Sequence, residues 1–133
     1  MQSINVKLVF KPLITLALLL SLIPGASYTV AENEDGESYT TVIVTFPLAE
    51  GISLQQAKGM FEASAPTYKT IPGLIRKYYL YGEGPLGGGV YFWESRAAAE
   101  KLYTQAWING LASRVGAQPT IQYFYSPVVI NNQ

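Results

Sequence analysis

The sequence predicts an α+β fold of β-α-β-β-α-β order, a four-stranded antiparallel sheet carrying its helices on one face. Three observations predict it. Four runs rich in β-branched and aromatic residues are interleaved with two stretches of helical spacing. Each helical stretch opens on a Ser suited to capping it. The second and third strands follow one another through a glycine-rich link, as the arms of a hairpin do.

Tyr39–Phe46 (YTTVIVTF) reads as the first strand, ended by Pro47. Ser53-Leu54-Gln55-Gln56 is a capping box, in which Gln56 can reach back to the cap. Leu54, Ala57, Phe61 and Ala65 continue at helical spacing, and Pro66 marks the expected stop. Ile71-Pro72-Gly73 is a turn. Leu74–Tyr81 (LIRKYYLY) is the second strand and Gly89–Glu94 (GVYFWE) the third. Ser95 caps a helix through Arg96–Tyr103. Its apolar positions Ala98 and Leu102 fall out of phase with Trp107, Leu111 and Val115, which predicts two short helices or a bend near Thr104-Gln105. Gly116 suits the residue after the helix end, and Pro119 follows. Thr120–Ser126 (TIQYFYS) is the fourth strand, with Val128–Ile130 a short edge or arm.

Ahead of this domain, Lys7 and Lys11 precede an uncharged run of 11 residues, Leu13–Ile23. That is the length of a signal-peptide core and short of the ~20 residues a spanning helix needs. Small residues offer cleavage after Ala31 or after Ser27, and Ala31 is preferred because the acidic stretch begins at Glu32. The expectation is residues 1–31 as signal peptide, 32–38 as an acidic flexible leader and 39–131 as the folded domain. The product would be exported, periplasmic or secreted, and free of the membrane after cleavage. The alternative is an uncleaved anchor lengthened by Leu8–Phe10.

Composition narrows the chemistry. The chain balances 9 Lys+Arg against 9 Asp+Glu over 133 residues and has neither Cys nor His. Zero net charge leaves no electrostatic footprint for nucleic acid. The absence of His and Cys excludes a Ser-His-Asp triad, a Cys nucleophile, a thiolate or imidazole zinc site and disulfides. Asp35 is the sole Asp, so no metal centre is expected, and no cofactor signature is present. What remains is aromatics, hydroxyls, amides, scattered Glu and a few cations.

Both faces of the second and third strands are apolar or aromatic. Tyr78 and Leu80 point one way and Tyr79 and Tyr81 the other; Val90 and Phe92 oppose Tyr91 and Trp93. Helices cover one face only. Burying a Phe-sized or Leu-sized side chain contributes about 1.5–3 kcal/mol, so the second face calls for a cover. A homodimer pairing sheet against sheet is the simplest one.

The segments Ser64-Ala65-Pro66-Thr67-Tyr68, Ile71 to Tyr79 (IPGLIRKYY), Gly88 to Glu94 (GGVYFWE) and Ala97-Ala98-Ala99-Glu100 resemble those of the YdhR-type monooxygenases, within the dimeric α/β-barrel superfamily. The resemblance runs from about Thr40 to Ile130. It implies a ferredoxin-like protomer, a sheet-to-sheet dimer and a pocket in each subunit. Relatives in that superfamily oxidise polycyclic phenols with dioxygen and no prosthetic group; others are binding modules or hold haem through His. This chain has no His, so neither haem ligation by imidazole nor His-based proton abstraction carries over, and the resemblance transfers no catalytic residue.

Gly82-Glu83-Gly84-Pro85-Leu86-Gly87 matches G-x-G-x-x-G, but a strand and not a helix follows it, so the glycines belong to a hairpin link and not a phosphate loop. The most informative feature is the set of aromatics at Tyr78, Tyr79, Tyr81, Tyr91, Phe92, Trp93, Tyr103, Trp107 and Tyr123–Tyr125. Most should be core or dimer interface. Phenols and indoles arrayed beside apolar walls also suit a small apolar or planar aromatic ligand. Arg76 and Lys77 face opposite ways, so one of them points at the covered face; Arg76 is the candidate to stabilise a phenolate or superoxide-like anion. Glu62, Glu94 and Glu100 would serve as bases only if burial raised their pKa. The pocket candidates are Arg76, Tyr78, Tyr91, Trp93 and Trp107. The expected function is cofactor-independent monooxygenation of an aromatic or phenolic substrate in the cell envelope, the alternative a non-catalytic binding or structural dimer.

Overall fold

The computed structural model describes Thr29–Val30 and residues 38–132; the expected signal segment and acidic leader otherwise lie outside the described residues. Thr29–Val30 forms β1, followed by β2 (Tyr39–Pro47), α1 (Leu54–Tyr68), β3 (Leu74–Tyr81), β4 (Leu86–Trp93), α2 (Arg96–Glu100), α3 (Gln105–Val115), β5 (Thr120–Ser126) and β6 (Val128–Val129). Four strands make one antiparallel sheet in the order β3-β4-β2-β5, so the first and third long strands are central. This is the α+β, ferredoxin-like arrangement expected from the sequence. Thr29–Val30, placed by sequence within the signal segment, pairs with Val128–Val129 as a separate two-stranded ribbon.

The capping chemistry is realised. Ser53 Oγ accepts from the Gln56 backbone N–H, and the Ser53 backbone N–H donates to Gln56 Oε1 at 2.9 Å. Pro66 does not stop α1, which runs to Tyr68. A proline so near the helix end removes a single N–H bond of the last turn, a smaller loss than in the interior. The phase slip after Leu102 is a true break: α2 ends at Glu100, and Thr104 caps α3 by accepting from the Trp107 N–H at 3.3 Å. The short link between the two helices carries Tyr103 inward, where it is buried.

One face of the sheet packs against the helices. Val42 and Val44 of β2 and Tyr91 and Trp93 of β4 are buried there with Ala99, Tyr103 and Leu111. Tyr103 is the hub of that core. It meets the rings of Tyr91, Trp93, Trp107 and Tyr123 edge-on at centroid distances of 5.6, 5.8, 5.1 and 5.9 Å. Such edge contacts add about 0.5–1.5 kcal/mol each beyond burial. The Trp93 indole N–H donates to the Tyr103 hydroxyl at 3.2 Å, so both polar tips are satisfied inside.

β3 contains the detail on which the site depends. Leu74 pairs with Trp93 and Arg76 with Phe92, leaving Ile75 as an extra residue, a β-bulge. Leu74 packs against the core. Simple alternation from it would turn Arg76 and Tyr78 inward as well. The bulge shifts the phase by one, so Lys77 and Tyr79 face the helices instead. Tyr78 is 55% exposed on the far side, as is Phe124 of β5 at 46%, beside half-buried Val90 and Phe92.

Candidate functional site

A cavity of about 480 Å³ lies between the sheet and the helices. Its wall from α1 is built by Phe61, Ser64 and Tyr68, at spacings of three and four that put them on one helix face. Trp107, Leu111, Arg114 and Val115 line it from α3 at the same spacings. The floor is the sheet: Phe46 of β2, Lys77 and Tyr79 of β3, and Gly88 and Tyr91 of β4. Gly88 has to be glycine. A Cβ there would lie 2.1 Å from the Val44 carbonyl oxygen. At Gly89 a Cβ would meet Tyr91 Cε2 at 2.9 Å and Lys77 Cε at 3.3 Å, so the missing side chain gives the Lys77 stem its path across the floor.

Lys77 is the one amine in that wall. Its Nζ stands 3.0 Å from the ring centroid of Tyr68, 3.8 Å from that of Tyr79 and 4.6 Å from that of Tyr91, a cage drawn from α1, β3 and β4. Burial and then the neighbouring Arg114 guanidinium hold its pKa at about 7. The three ring faces favour the ammonium and pull the other way. An amine so balanced changes charge near neutral pH, within reach of a bound molecule.

The phenols around it have the opposite character. Burial pushes Tyr91 well above the ordinary tyrosine range, with the neighbouring Tyr68 and Tyr103 adding to the rise. Burial also raises Tyr103 and, less strongly, Tyr79. They stay protonated and act as donors. Ser64 Oγ donates to the Phe61 carbonyl at 2.9 Å and lies 2.7 Å from the Tyr79 hydroxyl. Ser64 has one proton to give, so Tyr79 is the donor to it. That bond and the 4.9 Å stacking of Tyr79 on Phe61 fix one wall of the cage.

Of the residues named from sequence, Tyr91 and Trp107 line this cavity. Trp93 lies one layer deeper, fully buried and bonded to Tyr103. Arg76 and Tyr78 do not line it. Arg76 Nη1 donates to the Tyr78 hydroxyl at 3.4 Å in an exposed pair, and Arg76 borders a neighbouring hollow of about 300 Å³ with Lys69, Lys77 and Tyr79. Sequence reasoning passed over Lys77, Tyr68 and Ser64 as site residues. The only signal for Lys77 was that one member of the Arg76-Lys77 pair must face inward, and the bulge decides which.

No protein-family model matches the chain, and no curated protein is similar to it in sequence. Solved structures are similar in fold. A protein of unknown function, NE2512 from Nitrosomonas europaea, aligns at 14% identity over 72% of this chain and 96% of its own, with TM-score 0.57. Protein SO0527 from Shewanella oneidensis aligns at 12% identity over 77% and 99%, with TM-score 0.54. A monooxygenase from the gene ActVA-Orf6 of Streptomyces coelicolor, solved in complex with the ligand nanaomycin D, aligns at 15% identity over 72% and 94%, with TM-score 0.53. At these identities the likeness extends to the fold and not to the narrower YdhR-type resemblance. The chain has the α+β, ferredoxin-like fold found in monooxygenase-like structures.

Proposed function

We propose that this protein is a cofactor-independent oxygenase of small phenolic aromatics, acting as a homodimer in the cell envelope. The observation that carries the reading is Lys77: an amine with a pKa of about 7, caged by three aromatic rings in the wall of a cavity large enough for a bicyclic or tricyclic ligand. The neutral amine takes the proton of a bound phenol, and the ammonium so formed stabilises the phenolate. The electron-rich ring then supplies the electrons that dioxygen requires. With 1-naphthol, carbon–oxygen bond formation para to the hydroxyl gives a ring peroxide. Loss of the C4 proton and cleavage of the O–O bond then yield 1,4-naphthoquinone and one water. One oxygen atom enters the quinone, the other leaves as water, and the naphthol is oxidised as dioxygen is reduced. The Tyr91 phenol, kept protonated by burial, and the Tyr68 hydroxyl both line the cavity, where they can donate to a substrate's oxygens.

Support for a dimer comes from the sheet face away from the helices, where Tyr78 and Phe124 are exposed beside half-buried Val90 and Phe92, large apolar side chains that a second copy would cover. Support for an envelope location is the uncharged run Leu13–Ile23 behind Lys7 and Lys11. Oxygen uptake with 1-naphthol under ¹⁸O₂ tests the activity: one labelled atom per quinone is expected. A melting-temperature rise with 1-naphthol and no oxygen uptake would replace catalysis with ligand binding.

A further inference from the structure

The distribution of charge around the cavity says something about the ligand that shape and aromaticity do not. Four of the seven basic side chains in the 39–131 domain, Lys69, Arg76, Lys77 and Arg114, line the main cavity or the adjoining hollow. The two hollows share Tyr68, Lys77 and Tyr79, and neither is lined by a single Asp or Glu. Of the other three basic side chains, Lys58 pairs with Glu62 and Arg96 with Glu100, and Lys101 has no ion pair among the described residues. Among the described residues Lys77 and Arg114 have no such carboxylate, although Arg114 lies close enough to disfavour the charge on Lys77.

We propose that the ligand of this site is an aromatic carboxylate whose negative charge sits between Lys77 in the cavity wall and Arg114 at the cavity mouth, the ring system lying against the aromatic cage. The inference rests on the aromatic-ligand reading above and not on Lys77 as a base. With the carboxylate bound the amine is an ammonium, so this ligand competes with a phenol for the site and is not the phenol that the neutral amine deprotonates. An anion there removes the repulsion between the two cations and supplies the counter-charge the lining lacks. Arg114 is suited to the mouth. It is exposed, stands in the last turn of α3 where a cation complements the helix dipole, and offers a planar fork that matches a carboxylate. The groups facing Lys77 are Tyr68 from α1, Tyr79 on its own strand, Tyr91 from β4 and Arg114 from α3, so the amine is the group among them that gains a proton when the anion arrives near neutral pH.

The test is calorimetric titration of the full chain with 2-naphthoate and its neutral counterpart 2-naphthamide, with 1-naphthol-dependent oxygen uptake measured in parallel. 2-Naphthoate should bind at least tenfold more tightly at pH 7. Arg114→Gln, a substitution at an exposed position, should weaken 2-naphthoate at least fivefold and change 2-naphthamide by less than twofold. At pH 8, in two buffers of different ionisation enthalpy, binding of 2-naphthoate should take up protons in the parent chain and none in Lys77→Met. Equal affinity for the two probes, or 2-naphthoate binding indifferent to Arg114→Gln, overturns the proposal. If 1-naphthol is still oxidised in that case, the oxygenase reading survives alone. If neither probe binds and no oxygen is consumed, both fall.

Discussion

Replacing Lys77 by Met keeps an unbranched side chain of similar length on the cavity floor and removes the charge. The native pKa of about 7, against the ordinary lysine value of 10.5, means that folding favours the neutral amine. The sign follows. A base depressed in the folded state contributes no penalty above its unfolded pKa, and as pH falls from 10.5 to 7 the unfolded chain takes up a proton that the folded chain resists. Stability therefore declines over that window and levels off below pH 7. At 1.36 kcal/mol per unit the full shift corresponds to about 5 kcal/mol. Partial solvent access and the cation–π cage reduce this, and about 2 kcal/mol is the working figure. Lys77→Met should then be more stable than the parent by about 2 kcal/mol at pH 7, a rise in Tm of about 8–16 °C for a domain of this size. That gain should shrink by pH 9.5, where the parent's amine is neutral in the fold while the unfolded amine is still about nine-tenths charged, and should vanish only above pH 10.5. Urea unfolding of both chains at pH 6, 7, 8.5 and 9.5 measures the difference. A Lys77→Met variant less stable than the parent at pH 7, or a difference that does not change with pH, would refute the reasoning.

Other perturbations follow from the same geometry. Gly88→Ala drives a Cβ into the Val44 carbonyl, which only a shift of the two central strands relieves; a loss above about 3 kcal/mol is expected by urea unfolding, and a change under about 0.5 kcal/mol would contradict the packing described. Thr40 is buried with an Oγ1 that has no hydrogen-bond partner among the described residues; Thr40→Val should therefore raise stability by about 1 kcal/mol in the same measurement. Trp93→Phe removes the indole donor to Tyr103 and leaves a void, and should cost about 2 kcal/mol while sparing the oligomeric state seen by analytical ultracentrifugation. Phe124→Glu places a charge on the uncovered sheet face and should convert a dimer to monomers in that experiment, without lowering the helix content seen by circular dichroism.

Much of the fold was legible because its signals are local. Ser53, Ser95 and Gly116 punctuate the helices where their capping chemistry requires, and β3 and β5 begin and end where the aromatic and β-branched runs do. Two features were not legible. Pro66 reads as a stop, but its position in the last turn lets α1 reach Tyr68, the residue that roofs Lys77. The bulge at Ile75 carries no signature in the sequence, because nothing about an Ile in LIRKYY distinguishes a paired residue from an extra one. Alternation from Leu74 would turn Arg76 and Tyr78 inward; the one-residue shift turns Lys77 and Tyr79 inward instead. Tyr91 and Trp107 were reachable from sequence since both fall on apolar faces with regular periodicity, whereas the caged amine exists only once three separate elements have met.

The central claim is that Lys77, held near neutrality among three rings, is the base of an aromatic oxidation. The most direct measurement is the rate of dissolved-oxygen consumption with 1-naphthol between pH 5.5 and 8.5, for the parent chain and for Lys77→Met. The parent rate should rise through a pKa close to 7 as the amine loses its proton, and Lys77→Met should be slower by about a hundredfold or more, with that inflection gone. A Lys77→Met chain that consumes oxygen at the parent rate, or a parent rate that falls as pH rises through 7, would contradict it.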